Sequence, residues 1–77
     1  MMGTAIAEQK VALTVNGGRR EIPEGWNLAD LLVSLKLEPR LVVIEHNGII
    51  LRDRESFARV GLARNDTLEI VHFVGGG

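Results

Sequence analysis

The dipeptide Asn-Gly occurs twice, at 16–17 and 47–48, and each time it closes a run rich in aliphatic residues. A two-residue hairpin turn that suits the twist of paired strands needs positive φ at both central positions. Asparagine tolerates this and glycine adopts it freely. Two such turns predict two β-hairpins within 77 residues.

Before the first turn Val11, Leu13 and Val15 alternate with Ala12 and Thr14, the period of a strand with one buried face. The returning arm runs from about Arg19 to Ile22 and meets Pro23, which has no N–H for a ladder. Before the second turn LVVIEH has almost no polar interruption, which predicts a central strand covered on both faces. Ile49 to Leu51 forms its short return. Asn65-Asp66 marks a further turn, into a final strand TLEIVHF.

Between the hairpins the period changes. Leu28, Leu31, Leu32 and Leu35 fall on one face of a helix. Asn27 stands at the N-cap position, Asp30 places a negative charge by the positive end of the dipole, and Lys36 complements the other end before Pro39 stops the helix. The stretch RDRESFARVGLARND is polar and irregular, with one helical turn expected around Glu55 to Ala58. Its charges read as a mixed solvated surface, the sharper alternative being that Arg52 and Arg54 dock onto an acidic partner. The whole predicts an α+β fold, a mixed sheet of four to five strands covered by one helix, with the first hairpin beside the last strand so that the chain end leaves from the middle of the sheet. Residues 1–10 read as a flexible leader, 11–74 as the folded domain and 75–77 as a flexible glycine tail.

Nine Lys and Arg against ten Asp and Glu give a formal charge of −1, which supplies no field for nucleic acid or an anionic membrane. No stretch approaches the roughly 20 apolar residues of a membrane span. The absence of cysteine fits a reducing compartment, with the cytosol as the default expectation. Ser34 and Ser56 come without a histidine in a recognisable nucleophile arrangement, and His46 and His72 are isolated, so neither a catalytic nor a metal site is expected. In the last strand Val71 and Phe73 alternate with Leu68, Ile70 and His72. If the helix covers Leu68 and Ile70, then Val71 and Phe73 stand on the open face as a partner surface, unless the segment after Leu51 folds over them.

The tail Gly75-Gly76-Gly77 contributes nothing to a core, but a chain end carries a free carboxylate. Activated by ATP on a partner enzyme, a carboxylate becomes an acyl-adenylate that sulfide or an amine can capture. Three residues without Cβ suit a narrow passage and extend about 10 Å.

The order of elements together with the ending Glu69-Ile70-Val71-His72-Phe73-Val74-Gly75-Gly76-Gly77 resembles the ubiquitin-like β-grasp sulfur carriers, the ThiS family of thiamine biosynthesis. Asn27-Leu28-Ala29-Asp30-Leu31-Leu32, Val43 to Ile50 and Asn65-Asp66 carry the resemblance further. It implies a carrier rather than an enzyme, with no bound cofactor. A ThiF or E1-type enzyme would spend ATP to adenylate Gly77, a cysteine desulfurase relay would supply sulfur for a thiocarboxylate, and thiazole synthase (ThiG) would take it. Gly76 and Gly75 would thread the partner's channel, with Val74, Phe73 and Val71 at its mouth. A longer leader and Trp26 before the helix depart from the family pattern. A molybdopterin-type carrier, a ubiquitin-like modifier and a non-carrier β-grasp interaction module are the rival readings.

Overall fold

A computed structural model describes residues 9–73; residues 1–8 of the expected leader over 1–10, Val74 at the expected end of the domain and the expected tail over 75–77 lie outside the described residues. Five strands form one sheet: β1 Lys10–Val15, β2 Gly18–Pro23, β3 Val42–His46, β4 Ile49–Leu51 and β5 Thr67–His72. Their order across the sheet is β2-β1-β5-β3-β4. The two hairpins flank β5, which runs parallel to β1 and antiparallel to β3. β1 begins at Lys10, one residue before the expected domain boundary, and the Gln9 carbonyl accepts the Glu24 N–H at 2.8 Å.

Both turns have positive φ at each central residue, Asn16 and Gly17 at 50° and 84°, Asn47 and Gly48 at 51° and 88°. The asparagines do more than turn the chain. The Asn16 amide accepts the Ile70 N–H at 2.7 Å and donates to the Ile70 carbonyl at 3.1 Å. From the opposite side Asn47 accepts the Thr67 N–H at 2.8 Å. Each hairpin thus grips the backbone of β5 through the side chain at its own turn.

The one α-helix among the described residues, α1 Leu28–Ser34, lies on one face of the sheet. Its start is a capping box. Asn27 Oδ1 accepts the Asp30 N–H at 2.8 Å while Asp30 Oδ2 accepts the Asn27 N–H at 2.9 Å, so two donors without helical partners are satisfied. The expected dipole role of Lys36 gives way to a different one. Lys36 follows the C-cap Leu35 with φ of 60°, and the bonds Lys36 N–H to Val33 and Leu37 N–H to Leu32 make a Schellman ending. This returns Leu37 to the core edge.

A helix of seven residues does not hold in water alone, so α1 is maintained by what it buries. Leu28, Leu31 and Leu32 meet Val11, Leu13, Ile22, Val42, Ile44, Leu68 and Ile70 in the core. The segment after Leu51 supplies the rest. A 3₁₀ turn at Arg54–Arg59, started by Asp53 accepting the Glu55 N–H, buries Phe57, and Leu62 follows it inward. Trp26 is half-buried against this core and its carbonyl accepts the Leu62 N–H at 3.0 Å, which ties the helix entry to the returning chain.

The expectation that LVVIEH is central and covered on both faces is corrected. β5 is the central strand, and β3 alternates, with Val42 and Ile44 buried and Val43 and Glu45 only partly covered. Valine at 43 mimics two-sided burial because the open face itself is apolar there. Arg54 is likewise not a free docking cation. Its guanidinium donates to the carbonyls of Pro39 at 2.9 Å and Val42 at 3.3 Å, holding the chain at the entry to β3.

Candidate docking face at the end of β5

Alternation along β5 decides which side chains face the helix and which face solvent. Leu68 and Ile70 point to the helix and are 0% and 8% exposed, while Val71 and Phe73 point away and are 57% and 51% exposed. The segment after Leu51 does not shield them, because Phe57 and Leu62 place it on the helix side. The register adds neighbours that the sequence reading missed. Val43 lies directly opposite Val71, and Ile50, 48% exposed, pairs with Glu45 one step along the same face. Val43 and Ile50 share the wall of a shallow depression of about 150 Å³. Leu41 accepts the Phe73 N–H at 2.8 Å, so pairing continues to the last described residue. Leu41, Val43, Ile50, Val71 and Phe73 form an apolar strip ending at Phe73, and Glu45 opposite Glu69 makes its acidic boundary. The signal for Val43 and Ile50 lay in the pairing, which composition does not carry.

The open apolar strip offers shape and desolvation to a partner and no nucleophile of its own. Among the described residues no group of three or more His, Cys, Asp and Glu is placed to hold a metal ion, and no helix is long and apolar enough to cross a membrane. His46 and Asp66 come together, Nε2 to Oδ2 at 3.0 Å, with Asn47 and the Ala63 N–H also donating to Asp66. Burial would raise the Asp66 carboxyl, but the bonds from His46, Ala63 and Asn47 and the His46 charge outweigh it and hold its pKa below the usual aspartate value. This cluster locks the turn entering β5, and Asp66 is buried. His72 lies on the helix side of β5, apart from it. Val74, Gly75, Gly76 and Gly77, expected at the reactive end, lie outside the described residues.

A mixed five-stranded sheet crossed by one helix, with its central strand running past an open apolar face toward the chain end, defines a ubiquitin-like β-grasp domain of the carrier type. The chain belongs to the ThiS family, whose model matches residues 6–77. It is 46% identical over 50 residues to the sulfur carrier protein ThiS of Bacillus subtilis, covering 65% of this chain and 74% of that one. A crystal structure of the thiamine biosynthesis protein ThiS from Geobacter metallireducens superimposes with a TM-score of 0.72 at 36% identity, over 87% of this chain and 100% of that chain. A thiazole synthase of Magnetococcus marinus is 35% identical over 63 residues, which is 82% of this chain and 19% of that enzyme.

Proposed function

We propose that this ThiS-family chain carries sulfur for thiamine biosynthesis as a thiocarboxylate on Gly77. Its carboxylate oxygen attacks the α-phosphorus of ATP on a ThiF or E1-type partner and displaces pyrophosphate. Sulfide, released by a thiol reductant from the persulfide of a cysteine desulfurase or supplied directly by another donor, then attacks the acyl carbon and expels AMP. Thiazole synthase takes the sulfur, and an oxygen from water or from the sulfur acceptor replaces it at the acyl carbon, which regenerates the carboxylate. The chain itself binds no cofactor and catalyses nothing; it works in the cytoplasm as the substrate of its partners. Val71, Phe73 and Val74 seat against the partner's mouth while Gly75 and Gly76 pass through it.

The observation that carries this reading is the family match running through residue 77, joined to an open apolar strip that ends at Phe73. A thiazole synthase that contains a stretch like this chain in a fifth of its length supports the pairing of the two activities. The test is intact mass after incubation with ATP, the adenylating enzyme and sulfide, with a gain of about 16 Da expected as sulfur replaces oxygen. Removing Gly77 abolishes the gain and leaves the melting temperature in place, and Val71→Asp slows charging about tenfold or more with the fold intact. An unchanged mass under conditions that charge a known carrier refutes the proposal.

A further inference from the structure

β5 outruns its neighbour on one side. β1 accompanies it only over Thr14 to Thr67 and Val15 to Leu68 before turning away at Asn16, whereas β3 stays with it to His72. The bonds from Asn47 N–H to the Thr67 carbonyl and from Phe73 N–H to the Leu41 carbonyl set the parity of the antiparallel ladder. Thr67, Glu69, Val71 and Phe73 therefore direct their main-chain groups to β3, and Leu68, Ile70 and His72 direct theirs to the β1 side. The Asn16 N–H reaches the Leu68 carbonyl at 2.8 Å, and the Asn16 side chain satisfies both groups of Ile70 as a further strand residue would. For His72, no partner on that side exists among the described residues.

Those two groups face a groove of about 440 Å³. Val15, Leu35, Leu37 and Ile70 supply its apolar wall, and Arg19, Arg20 and His72 stand at its edge with no carboxylate among the lining residues. Arg20 pairs with Leu13 and so points to the helix side, away from the strip containing Val71 and Phe73. The groove is thus a second surface, distinct from the docking face.

We infer that this groove takes an extended acidic segment of a partner protein, which adds as a short strand beside His72. Its backbone supplies an acceptor and a donor to the two His72 groups that have no partner among the described residues, an apolar side chain packs on Leu35 and Leu37, and a carboxylate meets Arg20. A donor and an acceptor on one strand residue select a polypeptide backbone over a small anion. A second copy of this chain is a poor occupant, because its two outer strands present Arg19 and Arg20 on β2 and are followed by Arg52 after β4. Occupation leaves the open face free for the partner that acts on Gly77.

The test uses the full chain, ¹⁵N-labelled, and an acetylated, amidated hexapeptide of alternating glutamate and valine at about 2 mM, where weak binding still registers. Amide shifts should cluster at Asn16, Gly18, Leu37 and His72, and exchange of the His72 amide should slow about tenfold. Arg20→Glu, and separately lysine in place of the peptide's glutamates, should each weaken binding about tenfold. Absence of binding, shifts confined to Val71 and Phe73, or equal binding of the lysine peptide overturns the inference. None of these readouts involves charging of Gly77, so their failure leaves the sulfur-carrier reading standing.

Discussion

Asn16→Gly isolates the grip on β5 from the turn that carries it. Glycine keeps the left-handed backbone of the turn, at φ of 50°, and removes only the side-chain amide. The amide makes two partly buried bonds, at 2.7 and 3.1 Å, to the N–H and carbonyl of Ile70. At roughly 1 kcal/mol net for each, their loss costs about 2 kcal/mol. Relief of left-handed strain, about 1 kcal/mol for asparagine, and the greater freedom of glycine when unfolded, about 0.4–1 kcal/mol, oppose one another and nearly cancel. For a domain of this size about 2 kcal/mol lowers the melting temperature by about 8–16 °C. That is near half of the roughly 3–5 kcal/mol that so small a core supplies.

The assay is thermal unfolding followed by circular dichroism, together with amide exchange at Ile70. Gly17→Ala is the control, since its φ of 84° strains any side chain while nothing lies within 4 Å of an added Cβ. It should cost about 1 kcal/mol and leave the Ile70 amide protected. If Asn16→Gly lowers the midpoint by less than about 3 °C, or both variants expose Ile70 equally, the grip does not hold β5.

Two other outcomes follow from the packing and the charges. Leu31, fully buried on α1, should cost about 3 kcal/mol as Leu31→Ala and leave much of the protein unfolded at 37 °C, while Val33→Ala at a position 76% exposed changes stability by less than about 0.5 kcal/mol; equal effects by denaturant titration would contradict the packing of α1. Because the folded pKa of Asp66 is depressed, its stabilisation is present above the unfolded aspartate value near about 4 and is lost as pH falls through the lower folded value; Asp66→Asn should remove that part of the acid dependence, and melting curves with the same acid slope in both proteins would refute the assignment.

Local chemistry was legible in the sequence. Both Asn-Gly turns, the Asn27 cap, the helix face and the short strand after Gly48 depend on neighbours within a few residues, and all stand where expected. Exposure of Val71 and Phe73 followed from alternation once the helix was assigned to the other face. What escaped depends on register between distant segments. Asn16 meets Ile70 across 54 residues, His46 meets Asp66 across 20, and Arg54 reaches back to Pro39 across 15. Polar residues read as turns or as solvated charge are satisfied partners because strand pairing brings backbone groups to them. The misreading of β3 as covered on both faces has the same origin, since an exposed apolar face and a buried face look alike in a single strand.

The proposed carrier role places a geometric demand on its partner that these contacts make definite. β5 is gripped by Asn16 on one side and by Asn47 and β3 on the other, and pairing persists to the bond between Phe73 and Leu41. The frame is therefore anchored through Phe73 at the cost of few residues. Four residues follow, and even fully extended they reach at most about 14 Å. An enzyme that acts on Gly77 while this pairing persists must hold its reacting phosphorus within that radius of Phe73. In the proposed docking its surface comes against the strip of Val71, Ile50 and Val43, the open face beside the strand end. Docking and chemistry are coupled by chain length, so a charge placed at Val71 should impair activation even though it alters no reacting atom.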